Sequence, residues 1–481
     1  MSDNILARIV DDKAAQNEQQ AQQYPLEQIK SSLQLSDRSL YEALNQTAAG
    51  FILECKKASP SKGLIRSNFD PVKLARDYQP YAAAISVLTE PDYFQGRLEY
   101  LSAVRAKVHQ PVLCKDFFVE EQQVYRARYF GADAILLMLS VLDDDTYTRL
   151  ANIANKLHMD VLTEVANEEE MHRANALGAK IIGINHRDLT NLTINPNRSA
   201  ELAPLAAKDA LLVAESGFSN HQEIRRVAPH VNGFLIGSAL SAQNDVDYAC
   251  RSLLYGENKI CGLTRAEDAI NAEAAGAVFG GLIFAPHSPR KVELTQAQQV
   301  ITAVPTLRWV GVFADQPLED VVRTALDLQL FAIQLHGHED IDFISQLKTK
   351  LKHAGAERTQ IWRAIRVDSI GDIELLPTTD LIDRIVLDNG AGGTGARFDW
   401  SLLSALTEQQ RSRCLLAGGI SVENVSGAAQ QRLSGIDSSS QLEVSAGVKD
   451  THKIQQLFVN IRSYGRKKPV TSSKSNYQEA I

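Results

Sequence analysis

Glu54 and Lys56 stand two residues apart at the end of an apolar run, Phe51–Cys55, and lead into a Ser59-Pro60-Ser61-Lys62-Gly63 turn. Strand side chains alternate, so this carboxylate and ammonium share a face. A charged pair at the mouth of a buried strand is costly as packing alone. It suits a place where an anionic substrate is bound and protons are moved. Similar endings recur in the first half: Lys115 in VLCKDF, Glu164 in VLTEV, Asn185 in GINHRDL, Glu215 and Ser216 in VAESG, Gly237 and Ser238 in LIGSAL. Strand ends meet water, which accounts for one or two polar residues there. It does not account for two lysines and three glutamates converging on one mouth.

The second half carries a different set. Its strand ends give Cys261, Arg290, Asp315, His336, Arg363, Arg366, Asp388 and the pair Gly418-Gly419. A lone strand cysteine is usually a small core hydrophobe, the reading that suits Cys55, Cys114, Cys250 and Cys414. Cys261 differs, because Gly262 follows it and it faces an Asp in the same ring of strands. A thiol with an ordinary pKa of about 8.5 needs a positive setting to act as a base near neutrality.

These residues need elements to position them. Short, near-continuously apolar runs alternate with helix-like segments at Phe51–Cys55, Ala83–Leu88, Val112–Lys115, Ala134–Leu139, Val161–Val165, Ile181–Asn185, Leu211–Ser216 and Phe234–Gly237. Such runs read as parallel strands covered on both faces. The rhythm restarts at Lys259–Gly262, Val278–Phe284, Trp309–Phe313, Ala332–His336, Ile361–Arg366, Ile385–Asp388, Leu415–Gly418 and Gly435–Ser440. Two sets of eight predict an α/β fold of two tandem (β/α)8 TIM barrels, which place catalytic groups at the C-terminal ends of their strands. The expected division is 1–255, with an N-terminal helical extension, then 256–464, then a polar tail, 465–481, expected to be disordered. Glycines after strands 7 and 8 of the first barrel (Gly217, Gly237) bring backbone N–H groups close to a phosphate. The first barrel is therefore expected to bind a phosphorylated substrate.

With 481 residues the chain exceeds one hydrophobic core. Its net charge of −8 argues against a general nucleic-acid binder. Five cysteines without a C-x-x-C motif predict neither a disulfide framework nor a zinc ribbon, which fits a reducing cytoplasm. No apolar run reaches membrane-spanning length. The first residues read as an amphipathic helix rather than a signal peptide.

The motifs FILECKKASPSKG, ISVLTEPDYFQG, PVLCKDFF, LLMLSVLDD, VLTEV, IGINHRDL and AESGF closely resemble indole-3-glycerol-phosphate synthase over nearly all of residues 1–255. The resemblance implies conversion of 1-(2-carboxyphenylamino)-1-deoxyribulose 5-phosphate to indole-3-glycerol phosphate, with loss of CO2 and water. It makes Lys115 the general acid on the ketone oxygen and Glu164 the partner in later proton transfer. Lys56 would pair with the substrate carboxylate or phosphate and serve as an acid in dehydration. Glu54, Asn185 and Ser216 would orient groups around the reacting carbon. Ser59, Gly217, Gly237 and Ser238 would hold phosphate, with Arg187 and Glu215 also expected to contact substrate. The motifs leave open which lysine serves which proton step. His186 stands where that family usually has a second Asn, on the other face of its strand.

The second half, with KICGLT, FAPHSPR, VGVFAD, QLHGHE, LDNGAGGTGARFDW and LAGGI in order, closely resembles phosphoribosylanthranilate isomerase. This resemblance implies an Amadori rearrangement of N-(5-phosphoribosyl)anthranilate. Cys261 would be the general base and Asp388 the general acid. Arg290 would bind the anthranilate carboxylate, His336 would contact substrate, and Gly418 and Gly419 would hold part of the phosphate. Counting back from Gly447-Val448-Lys449-Asp450 puts the last strand at Gly435–Ser440. Ser439 then replaces a common Asn, and Ser440 binds phosphate. Gly390–Gly395 matches G-x-G-x-x-G, but no acidic strand end follows, so a dinucleotide site is rejected in favour of a mobile cover over Asp388. His186-Arg187-Asp188-Leu189 mimics a kinase loop without its other parts. His336-x-His338 lacks partners for a metal, and neither metal nor cofactor is expected. The expectation is a monomeric bifunctional enzyme acting on small phosphorylated anthranilate derivatives, with neither nucleic acid nor membrane as partner. The competing readings are one active barrel beside a scaffold, and a phosphate-binding module without catalysis.

Overall fold

The structure is a computed structural model and describes residues 5–389 and 398–466. After a first helix, α1 (Ile5–Gln23), come β1 (Gly50–Cys55), β2 (Ala84–Leu88), β3 (Val112–Lys115), β4 (Ala134–Met138), β5 (Asp160–Val165), β6 (Ile181–Asn185), β7 (Leu211–Glu215) and β8 (Gly233–Ile236). These strands pair in parallel and in chain order, and β8 returns to β1 from Gly50↔Gly233 to Leu53↔Ile236, which closes a barrel. A second series follows: β9 (Lys259–Cys261), β10 (Phe279–Ile283), β11 (Arg308–Phe313), β12 (Ala332–Leu335), β13 (Gln360–Arg366), β14 (Arg384–Asp388), β15 (Cys414–Leu416) and β16 (Gly435–Ser438). It closes through Lys259↔Asp437 and Ile260↔Ser438. The observed fold is the one expected, two (β/α)8 barrels, and β16 lies in the register counted back from Gly447.

The strands read as continuous apolar runs because helices cover them outside while side chains fill them inside. Ile52, Leu113, Leu136, Leu162, Val213 and Leu235 meet within the first barrel. In the second, Phe279, Val310, Trp362, Val386 and Leu415 pack together. The Phe279 and Trp362 rings meet edge to face at 4.9 Å. The Trp362 indole N–H donates to Gln360 Oε1 at 2.8 Å, so its polar atom is answered.

Contacts divide the chain into two compact units. One holds the chain up to Phe218, Val227–Val246 and the described residues from Tyr464; the other holds Ser219–Arg226 and Asp247–Ser463. The tail departs from expectation at its start. The Arg466 N–H donates to the Val231 carbonyl at 2.7 Å, and the Arg466 carbonyl accepts from Asn232 Nδ2 at 3.3 Å. Backbone pairing needs no apolar side chain, so the tail's polar composition carried no sign of it. Residues 467–481, and the Gly390–Gly395 cover, lie outside the described residues.

Helix α1 is anchored by more than its apolar face. Leu6 and Ile9 are buried, but so are Lys13, Gln16 and Asn17. Lys13 Nζ lies 2.5 Å from Asp116 Oδ1. Gln16 Nε2 donates to Glu90 Oε1 at 3.0 Å, and Arg126 donates to Asn17 Oδ1 at 2.8 Å. The helix thus grips the loops that leave β2 and β3.

Trp362→Ala removes the largest fully buried side chain among the described residues and should destabilise the second barrel by about 3–5 kcal/mol. Hydrogen exchange at rising urea should show second-barrel peptides losing protection earlier, with first-barrel peptides unmoved. An unchanged second-barrel midpoint would refute this account of the core.

Candidate active sites

The first barrel's charged side chains converge at the C-terminal ends of its strands. Glu54 shares the inward face of β1 with Ile52, and its Oε1 lies 2.5 Å from Lys56 Nζ. Lys115, the last residue of β3, reaches Glu164 Oε2 at 3.2 Å and Glu215 Oε2 at 3.4 Å. Asn185 Nδ2 donates to Glu164 Oε1 at 2.8 Å. Lys115, Glu164, Asn185 and Glu215 therefore form one network, and Glu54 and Lys56 form a pair on the first strand.

Two glycines make the room. A Cβ at Gly183 would lie 2.1 Å from Glu215 Oε1, and one at Gly237 would lie 2.3 Å from Glu54 Oε1. Gly237 thus has a steric task beside the phosphate contact expected of it. Ser241 fixes the end of β1: its Oγ donates to the Glu54 carbonyl at 2.9 Å and accepts from the Lys56 N–H at 3.2 Å.

Burial and neighbouring charges together decide the protonation states. It pushes the Glu215 carboxyl up to about 8; Lys115 opposes this, while Glu164 and Glu54 add to it. Glu215 Oε1 is sealed from solvent without a hydrogen-bond partner, as suits an acid that carries a proton through neutrality. Burial alone would lower Lys115, but Glu215, Glu164 and Glu54 outweigh it and hold the ammonium above its ordinary range.

The remaining predicted residues ring this network at varying distance. Ser216 (φ 66°) and Gly217 (φ 84°) form a left-handed turn directly after β7. Ser238 opens the short helix Ser238–Ser241. Ser59 is buried in the hairpin of Ala58–Ser59 with Gly63–Leu64. Arg187 is held in its own loop, donating from Nη1 to the Leu192 carbonyl at 2.8 Å. His186 is buried away from the network, with Nε2 2.7 Å from Ser199 Oγ.

The second barrel encloses a cavity of about 270 Å³. Of the strand-end set, Asp315, Arg363 and Arg366 lie outside its lining, whereas every residue to which the resemblance gives a role lines it: Cys261, Arg290, His336, Asp388, Gly418 and Gly419, with Ser439 and Ser440. Burial raises the Asp388 carboxyl above its usual range, against the pull of His336, whose Nε2 lies 3.7 Å from Asp388 Oδ2. A carboxyl so raised is a better proton donor near neutrality. Burial also pushes up the Cys261 thiol, and Lys259 opposes it. Gly418 (φ 81°) and Gly419 (φ 64°) turn the chain after β15 through conformations that favour glycine.

Several functional side chains escaped the sequence reading. Arg290 is not a free cation: Nε and Nη2 each lie 2.9 Å from an oxygen of Glu443. Glu443 also takes Lys449 Nζ at 2.8 Å. This clamp follows the last strand, in LEVSAGVKD, where charges off a barrel strand gave no signal. Asp116, one residue past Lys115, was passed over although Lys13 and Thr89 hold it, the latter donating at 2.6 Å. Lys259 was legible, since it precedes Cys261 by two and so shares its face. His338 is 96% exposed, with Nδ1 3.0 Å from Asp315 Oδ2. Among the described residues no three His, Cys, Asp or Glu side chains are grouped to hold a metal ion, and no helix is long and apolar enough to cross a membrane.

Comparison with known proteins falls along the same two halves. Residues 6–253 match the family model of indole-3-glycerol phosphate synthase, and residues 258–460 that of N-(5'phosphoribosyl)anthranilate (PRA) isomerase. The chain is 47% identical to the tryptophan biosynthesis protein TrpCF of Salmonella typhi, over 96% of this chain and 99% of that one. It is 48% identical to TrpCF of Vibrio cholerae, over 96% of each. The phosphoribosyl anthranilate isomerase of Thermus thermophilus is 30% identical over 43% of this chain and 98% of its own, with a TM-score of 0.38. The two family matches, and the similarity to the TrpCF proteins over 96% of the chain, place it in the bifunctional TrpCF family of tryptophan-biosynthesis enzymes, with a synthase (lyase) barrel followed by an isomerase barrel.

Proposed function

We propose that the second barrel acts first, converting N-(5-phosphoribosyl)anthranilate to 1-(2-carboxyphenylamino)-1-deoxyribulose 5-phosphate, and that the first barrel turns this product into indole-3-glycerol phosphate. The observation that carries the reading is the difference between the sites. One holds an ammonium between two carboxyls; the other holds a thiol and a raised carboxyl in a single cavity.

In the isomerase, Asp388 protonates the furanose oxygen as the anthranilate nitrogen drives the ring open to an iminium. The Cys261 thiolate then takes the proton from the adjacent sugar carbon, and the enolamine relaxes to the ketone. Arg290, aimed by Glu443, receives the anthranilate carboxylate in bidentate fashion. Gly418, Gly419, Ser439 and Ser440 offer N–H and O–H donors to the phosphate.

In the synthase, the Lys115 ammonium protonates the ketone oxygen as the aromatic carbon bearing the carboxylate attacks. Loss of CO2 restores the ring. The new hydroxyl takes a proton from Lys56 and leaves as water, with Glu164 taking the proton whose loss completes the indole. Lys56 neutralises a substrate anion and is oriented by Glu54. Glu215, protonated through neutrality, donates to the substrate instead of repelling it.

Lys115→Ala should lower indoleglycerol-phosphate formation by about 10²-fold or more and leave isomerisation intact; Cys261→Ala should do the reverse. Separate assays with each substrate on the full chain check this. If either variant, still folded, silenced both reactions, the two-site reading would be wrong.

The pH dependence of the synthase follows from Glu215. Its folded carboxyl is raised to about 8, so the proton it donates is present below that value and lost as the pH rises through it. The kcat/KM of the synthase should fall on an alkaline limb near pH 8. Glu215→Gln, a permanent neutral donor, should keep activity and remove that limb. A limb that persists unchanged in the variant would reassign the titration to another group.

A further inference from the structure

Lys259 is a fully buried charge of the second barrel to which the proposed isomerase chemistry gives no task. It opens β9, two residues before Cys261 on the same face, and its side chain has no exposure to solvent. Its Nζ lies 2.6 Å from Asp437 Oδ2, across the strand pair that closes the barrel. A Cβ at Gly281 would lie 2.8 Å from Cys261 Sγ and 2.9 Å from Lys259 Cε. The thiol and the lysine stem thus flank the same glycine-sized gap. Lys259 does not line the cavity, whereas Cys261 and Asp437 do. It therefore cannot be a substrate contact. An ammonium sealed in a barrel costs several kcal/mol of desolvation, which a barrel core of apolar residues would avoid. The cost is reasonable where the charge acts on a neighbour.

We propose that Lys259, clamped by Asp437, is a positioning residue for the isomerase base: its buried positive charge stabilises the thiolate of Cys261. The inference rests on the isomerase reading above, and it adds the source of the positive setting that a thiol base requires. The charged groups around the thiol are Lys259 on its own strand, Asp437 on β16, Lys449 in the strand Val448–Lys449, Arg290 in the loop after β10, and Asp388 with His336 beyond. Arg290 and Lys449 share Glu443, so much of their charge is spent on that carboxylate. Asp437 keeps one oxygen, Oδ1, buried without a hydrogen-bond partner. It grips Lys259 through the other and leaves the ammonium's remaining donors toward the thiol. The direction agrees with the opposition of Lys259 to the burial-driven rise of Cys261.

The test uses the full chain and the pH dependence of iodoacetamide alkylation at Cys261, read by peptide mass spectrometry. Cys261 is 7% exposed, whereas the other four cysteines are at 1% or less. In Lys259→Met the alkylation midpoint should rise by about one pH unit or more. The isomerase kcat should fall roughly tenfold at neutral pH, with KM held. A folded Lys259→Met chain with an unmoved midpoint overturns the proposal, because a merely structural lysine would not set the thiol's titration. Lys259→Met leaves Asp437 buried and unanswered. If that variant fails to fold, the double variant Lys259→Met with Asp437→Asn removes both charges, and an upward shift is still required of it. Absence of isomerase turnover in the unaltered chain would instead defeat the assigned reaction, and the thiol profile would then decide on Lys259 separately.

Discussion

Lys115 stands between Glu164 and Glu215 at a barrel mouth that excludes most water, and both barrels are built around interactions of this kind. A charge buried without an opposite charge costs several kcal/mol, a large share of a domain's whole stability. The cations of the two networks are accordingly answered: Lys56 by Glu54, Lys259 by Asp437, Arg290 and Lys449 by Glu443. Where the answering residue stands on another strand, as for Lys115 with Glu164 and Glu215 and for Lys259 with Asp437, the closed sheet is a condition of the pairing. Asn185 and Glu215 are register partners on β6 and β7, and Lys259 and Asp437 on β9 and β16. A slip of one residue would turn each of these side chains to the other face and strand a charge among apolar helices.

Space for these charges is supplied by glycines rather than by loops. Gly183 and Gly237 leave the volumes taken by Glu215 and Glu54, and Gly281 leaves the volume shared by Cys261 and Lys259. Gly262, at φ 73°, lets the chain leave β9 where a Cβ would strike Arg290 Cδ at 2.7 Å. Replacing such a glycine would shift a paired charge by an ångström or more, which is large against the tolerance of positioned catalytic groups.

The architecture was legible because its signal is redundant. Sixteen apolar runs of strand length, each closed by a turn, cannot be threaded in many ways. The strand-end residues were legible for the same reason, since a barrel puts its chemistry where its strands stop. The residues missed share a different property: each acts through another residue. Asp116 holds the loop of Lys115 and is held by Lys13 from a helix about a hundred residues earlier in the chain. Glu443 aims Arg290 from beyond the last strand. Such pairings depend on which loops the fold brings together, and neither spacing nor periodicity records that. Arg466 was missed because its contacts are made by the backbone, which composition does not describe.

The first strands of the two barrels show how one position yields different chemistry. In β1 the ammonium of Lys56 lies past the carboxylate, at the open end, where its side chain keeps 17% exposure and can meet an anionic substrate. In β9 the order is reversed. The ammonium of Lys259 lies two residues below Cys261 with no exposure, so its field reaches the thiol and not the substrate. An ammonium above the reactive group serves as a binding charge, exchangeable with solvent ions and screened by them. An ammonium below it is unscreened and permanent, and it acts on the proton affinity of whatever stands above. A thiol needs that second arrangement because its ordinary proton affinity is too high for a base at neutral pH. A carboxylate paired at the rim does not. The exchange of Glu54-x-Lys56 for Lys259-x-Cys261 is therefore a change in where the charge is placed as much as in which residue reacts.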